Sequence, residues 1–127
     1  MKVLIIDDSE TVRIAVNRIL VKLGAAVIEA EDGAKGLEAL MSNKDIQLIF
    51  CDVNMPVMDG MTMVSRYSEN VARGSRKIPI AMLTTERHKD LVLKAKKHGV
   101  GFWVIKPPSE KSIEAIYRKV KGMKNQS

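Results

Sequence analysis

Residues 46–60 read IQLIFCDVNMPVMDG, and this stretch decides the fold. Ile46 to Cys51 is a short, mostly apolar run that stops on Asp52, and Asn54, Pro56 and Asp59-Gly60 then mark a loop. A short apolar run bounded by turn residues reads as a strand buried on both faces, of the kind found in a parallel sheet. Three more stretches have the same form. Val3 to Ile6 ends on Asp7-Asp8, Ile80 to Leu83 ends on Thr84, and Val104-Ile105 ends on Lys106-Pro107. In a parallel sheet the carboxyl ends of the strands gather along one edge, where ligands bind. The sequence therefore predicts one pocket with three carboxylates, a hydroxyl and an ammonium, a set suited to a divalent cation and a phosphoryl group.

Working outward, strand and helix signals alternate five times. Ser9 is placed to cap a helix with Val12, Val16, Ile19, Leu20 and Leu23 on one stripe, closed by Gly24. A second strand is expected over Ala26 to Ala30 and a short helix over Ala34 to Met41. A third helix carries Met61, Val64 and Tyr67 at helical spacing, and Ala72 to Lys77 forms a polar turn. The fourth strand is expected over Ile78 to Leu83. A Lys-rich helix follows from Glu86 to His98, then a strand from Phe102 to Ile105. Ser109 caps a last helix with Ile113, Ile116, Tyr117 and Val120 turned inward. Such alternation indicates an α/β fold, with a parallel sheet wound on both faces by helices.

At 127 residues the chain is expected to be one domain over 1–122, with a frayed polar tail over 123–127. No apolar stretch is long enough to cross a bilayer, and Met1 leads straight into strand residues. The lone Cys51 lies inside an apolar strand and reads as a buried structural thiol, which fits a reducing cytoplasm. Residues 1–84 carry 10 Lys or Arg and 11 Asp or Glu, whereas residues 85–127 carry 11 and 4. That basic second part suggests a protein partner with an acidic surface. Low aromatic content and the absence of zinc-finger spacing or an arginine-rich tail argue against direct nucleic-acid binding, and no membrane partner is expected.

An Asp at a strand-to-helix turn commonly serves as a cap. The third acid changes the weighing. Like charges about 4 Å apart repel by roughly 4 kcal/mol at an effective dielectric near 20. Clustering Asp7, Asp8 and Asp52 is therefore costly unless a cation sits among them, and hard oxygen ligands suit Mg²⁺. Lys106 adds a positive group and Thr84 a donor, while a central carboxylate is a plausible acceptor that would form an acyl phosphate. The chain lacks a P-loop and a dinucleotide fingerprint, so no nucleotide site is expected.

With Asp7-Asp8, the segment Asp52 to Gly60, Thr84 and Lys106-Pro107 in this order, the chain resembles the receiver domain of two-component response regulators nearly end to end. The resemblance implies a flavodoxin-like fold with strand order 2-1-3-4-5. It implies that Asp52 is the phosphoacceptor. Asp8, Asp52 and the Asn54 backbone carbonyl would ligate Mg²⁺, with Asp7 acting through water. Lys106 and Thr84 would hold phosphoryl oxygens, and Trp103 falls at the aromatic switch position. Asn54 and Glu86 fall where water access to the acyl phosphate is tuned. The Lys106-Pro107 bond resembles one the family keeps cis. Trp103 departs from the commoner Tyr or Phe, and Pro108 stands where an aromatic residue often follows.

The expected role is that of a stand-alone response regulator, a monomeric phosphoacceptor switch and not an enzyme beyond its own Mg²⁺-dependent autophosphorylation and autodephosphorylation. A histidine kinase or phosphotransfer protein would supply the phosphoryl group. A surface of helix 4, strand 5 and helix 5 would signal, with chemotaxis or motility control as the leading pathway. The alternatives are a phosphorelay intermediate that passes the group to another His, a Mg²⁺-dependent phosphohydrolase with an aspartyl intermediate, and a receiver cut from a larger transcription factor. A hydrolase usually has a second Asp two residues after its nucleophile, where this chain has Asn54.

Overall fold

The computed structural model describes residues 1–74, 76–85 and 89–124, without the side chains of residues 89 and 124. Five strands, β1 (Lys2–Ile6), β2 (Ala26–Ala30), β3 (Ile46–Asp52), β4 (Ile80–Thr84) and β5 (Val100–Ile105), form one parallel sheet in the order β2-β1-β3-β4-β5. The helices between them are α1 (Glu10–Lys22), α2 (Gly33–Ser42), α3 (Gly60–Ala72), α4 (Lys89–Lys97) and α5 (Glu110–Lys124). Successive strand residues point to opposite faces, so each apolar run feeds two cores. Val3, Ile5, Leu48 and Phe50 pack with Val16 and Leu20 of α1 and with Ile113, Tyr117 and Val120 of α5. Leu4, Ile6, Ile49 and Cys51 pack on the other face with Met63 and Val64 of α3 and Ala95 of α4.

The expected α/β architecture and strand order are those observed. Three boundaries differ by two residues. β4 begins at Ile80 and not at Ile78, because Pro79 has no N–H and the Ile78 N–H is spent on the Tyr67 hydroxyl at 2.9 Å. β5 begins at Val100, two residues early, since Gly99 at φ 90 ends α4 abruptly. α5 continues through Lys124, two residues into the stretch expected to fray, while buried Val120 anchors the turn before it. The expected start of helix 4 at Glu86 lies outside the described residues.

Ser9 and Ser109 cap their helices as the sequence suggested. The Ser9 hydroxyl accepts from Val12 N at 3.3 Å, and the Ser109 hydroxyl accepts from Ser112 N at 3.1 Å. Asp32 caps α2 by accepting from Lys35 N at 2.8 Å.

One backbone position is strained. Val57, in the loop after β3, sits at φ 65 although it is β-branched, and it is 84% exposed. Its side chain gains little by packing, while the left-handed conformation costs about 1–2 kcal/mol for an L-residue with a Cβ. Val57→Asn should therefore raise stability by about 1 kcal/mol in urea unfolding. An unchanged midpoint would show that the loop relaxes without cost.

Candidate phosphoryl-transfer site

The ends of β1, β3, β4 and β5 place Asp7, Asp52, Thr84 and Lys106 along the carboxyl edge of the sheet. Asp7, Asp52 and Thr84 are buried, at 0%, 5% and 4% exposure, while Asp8 is exposed at the mouth. One carboxylate oxygen from each of Asp7, Asp8 and Asp52 lies within 4.8 Å of the others. Lys106 Nζ reaches Asp7 Oδ2 at 2.7 Å and Asp52 Oδ1 at 3.0 Å. The Lys106 N–H donates to the Thr84 carbonyl at 2.8 Å, which ties β5's end to β4's. The Lys106-Pro107 bond is cis, as the resemblance implied.

Asp7, Asp8, Asp52 and Lys106 thus meet in space, as the sequence predicts. The sequence reading gave no role to Arg13 and took Gly60 only as a turn residue. Arg13, one turn into α1, donates from Nη1 to the Asp7 carbonyl at 2.6 Å and from Nε to Glu29 at 3.1 Å, clamping the acidic turn to β2. Its spacing of six from Asp7 was the available signal. Gly60 donates its N–H to the Val53 carbonyl at 2.9 Å and closes the loop against Asp52. Asn54 is exposed, and its N–H faces Asp52 Oδ1 at 3.4 Å. Glu86 lies outside the described residues.

Charge decides what this pocket accepts. Burial pushes the Asp52 carboxyl up to about 6; the Lys106 ammonium pulls it down and Asp7 adds to the rise. Burial alone would lower Lys106, but its pairs with Asp7 and Asp52 outweigh that and hold it above its ordinary value. Burial pushes the Cys51 thiol up, so it stays protonated and inert. With all three acids ionised, one ammonium leaves the pocket two negative charges in excess. Asp7 Oδ2 meets Lys106 Nζ as an ion pair at 2.7 Å and has no further partner among the described residues. That pairing is a charge contact that leaves a buried lone pair unused. Surplus carboxylate charge and an unused buried oxygen, in an all-oxygen donor set, fit a hard divalent cation such as Mg²⁺.

Trp103, on β5 opposite Met82, packs half-buried against the α3–α4 core. Its Nε1 is buried without a hydrogen-bond partner among the described residues. A buried unmade hydrogen bond costs about 1–3 kcal/mol.

Residues 3–118 match the response regulator receiver domain model. The chain belongs to the response regulator receiver family. It is 39% identical over 108 residues to the chemotaxis protein CheY1 of Helicobacter pylori, covering 84% of this chain and 86% of that one. It is 38% identical over 111 residues to a CheY homolog of Campylobacter jejuni, covering 84% and 82%. Among solved structures, Vibrio cholerae chemotaxis protein CheY4 superposes with a TM-score of 0.83 at 32% identity, covering 94% of this chain and 97% of that one. This receiver is CheY-like, a signalling switch and not a conventional enzyme, and its likeness is consistent with chemotaxis signalling. Receiver domains normally bind Mg²⁺, are phosphorylated by histidine kinases and act on downstream targets. No helix among the described residues is long and apolar enough to cross a membrane.

Proposed function

We propose that this receiver takes a phosphoryl group onto Asp52 from a histidine kinase or phosphotransfer protein and signals in chemotaxis or motility control. The observation that carries this is the meeting of Asp7, Asp8 and Asp52 within 4.8 Å, with Lys106 Nζ in contact with two of them. Asp8, Asp52 and the Asn54 carbonyl would hold Mg²⁺, with Asp7 behind a water. When bound, the ion offsets the negative charge of the carboxylates and the incoming phosphoryl group.

An Asp52 oxygen forms the new P–O bond as the P–N bond to the donor imidazole breaks. Lys106 exchanges its contact with Asp52 for a phosphoryl oxygen, and the Thr84 hydroxyl donates to another. The Trp103 indole, whose N–H has no partner among the described residues, repacks as Thr84 moves. The surface of α4, β5 and α5 then changes affinity for its target, a population shift of a bistable element. The test is incubation with acetyl phosphate and Mg²⁺, followed by mapping of the label. One phosphoryl group on Asp52 is expected, and label elsewhere would overturn the assignment.

Metal binding has its own expected result. Mg²⁺ should quench or shift the fluorescence of Trp103, the only Trp, in a saturable way and should raise the unfolding midpoint. Asp8→Ala should weaken that response at least tenfold. Equal titrations in both proteins would remove Asp8 from the site.

Asn54 and Glu86 are assigned to water access by their sequence positions. Both are polar, and an exposed Asn54 leaves the phosphorus open to water. Asn54→Met should slow loss of the phosphoryl group severalfold after donor removal. An unchanged decay would show that this position does not gate water.

A further inference from the structure

All five strands run parallel, so the segments leading into them lie along one edge of the sheet. The segments leaving them lie along the other, roughly 16 Å away for five-residue strands. Charge segregates between these edges. Among the described residues, the leaving segments 7–10, 31–32, 52–59 and 106–110 hold eight acids and, as their one Lys or Arg, Lys106. The leading segments 1–2, 22–25, 43–45, 73–79 and 96–99 hold eight Lys or Arg and one acid, Asp45. Asp45 is already paired with Lys2 at 3.1 Å, and Lys22 reaches Glu110 at 3.6 Å, so neither of these Lys residues counts as an uncompensated cation. Six of these eight, Lys2, Lys22, Lys44, Arg73, Arg76 and Lys77, come from residues 1–84, so the edge opposite the phosphoryl-transfer pocket is basic for a reason that the count along the chain did not show.

That edge is also indented. Three clefts meet at buried Ile78, with volumes of about 130, 230 and 330 Å³. The first, between α2 and α3, carries Lys44 and Arg76 over Leu37 and Leu40. The second, beside the end of α5, carries Arg76 and Lys77 over Val120 and Met123. The third, between α3 and the end of α4, carries Lys77, Lys96 and Lys97 over Val71 and Ile80. All these Lys and Arg residues are exposed, and no acid lines any of the clefts among the described residues.

We propose that this edge docks an acidic linear segment of a partner protein, its apolar side chains seated in the clefts and its carboxylates against the rim. Charge complementarity selects the sign, since uncompensated cations here favour an anionic partner. Concavity selects the class. A phosphate backbone has no side chain to fill apolar clefts of this size, and a flat bilayer surface does not reach their floors. A peptide that alternates acidic and apolar residues satisfies both features. This docking is independent of the phosphorylation reading, because it uses none of the pocket residues.

The probe is an acetylated peptide of sequence EELEELEE, followed by amide chemical shifts. Shifts should centre on Lys77, Ile78, Lys96 to Gly99 and Val120, and affinity should fall at least tenfold between 50 and 300 mM salt, as about 10 Å screening predicts. The triple variant Lys77→Glu, Lys96→Glu, Lys97→Glu should bind at least tenfold more weakly. The same three positions changed to Arg should keep wild-type affinity, which separates charge from any damage to the fold. Shifts confined to the pocket edge, or none, would overturn the proposal. Equal binding of EESEESEE would remove the apolar seats. Tighter binding of duplex DNA or phosphatidylglycerol vesicles through these same residues would replace the protein partner.

Discussion

Replacing Asp52 with Asn is expected to stabilise the metal-free protein at pH 7.5 by on the order of 1–3 kcal/mol. Three carboxylates share a pocket that holds one ammonium, and Asp52 is nearly enclosed there. Its carboxyl is raised to about 6, first by burial and then by Asp7, against the opposing pull of Lys106. A carboxyl raised in the folded state favours folding while it is protonated. That contribution is complete below its ordinary value of 3.8 and is lost as pH rises through about 6. Asn keeps the neutral shape and never ionises, and Lys106 retains its contact with Asp7 at 2.7 Å. In EDTA, the stability difference between variant and wild type should therefore be near zero at pH 3, grow as pH rises from 3.8 to about 6, and stay level above that. Mg²⁺ should narrow it at pH 7.5, because the wild type binds the cation more tightly. A variant less stable than wild type at pH 7.5 would mean that the Lys106–Asp52 pair outweighs the crowding of the acids.

The same imbalance explains why the site could be read from the sequence. A parallel sheet delivers the ends of its strands to one edge, so residues 7, 52, 84 and 106, far apart in the chain, become neighbours once each apolar run is recognised. What connects them is topology, and topology follows from period and punctuation. The strand limits were less readable where a side chain competes for the backbone. The Ile78 N–H looks available to a ladder until the Tyr67 hydroxyl, eleven residues earlier, is found to occupy it. The Arg13 clamp was hidden for a similar reason. A guanidinium on a helix reads as a solvated surface group until the carbonyl it serves is located. Charge shows the limit most plainly. Counted along the chain, the excess of Lys and Arg falls in residues 85–127, yet Arg73, Arg76 and Lys77 from before that boundary share an edge with Lys96 and Lys97.

Gly60→Ala is expected to cost about 3 kcal/mol, a large effect for adding one methyl group. The cause lies in how Asp52 is held. Gly60 opens α3 just after its cap Asp59, whose carboxylate accepts from Thr62 N at 2.8 Å. Its own N–H bonds the Val53 carbonyl at 2.9 Å, so the loop after β3 folds back onto the strand end. At that distance a Cβ on Gly60 would meet the Asp52 carbonyl oxygen at 2.0 Å and Met82 Cε at 3.0 Å. The Met82 methyl is the end of a flexible chain and can yield. The Asp52 carbonyl is backbone and cannot move without carrying the carboxylate with it. The substitution should therefore lower Mg²⁺ affinity as well as stability, even at temperatures where the variant is fully folded. Gly101→Ala is the matched control. Gly101 lies in a strand, with open space where its Cβ would stand, and a side chain there should leave stability unchanged or slightly raised. Urea unfolding of both variants, with Mg²⁺ titration of the folded fraction, separates the two effects. If Gly60→Ala loses stability but binds Mg²⁺ as the wild type does, the close approach serves the fold alone and does not set the position of Asp52.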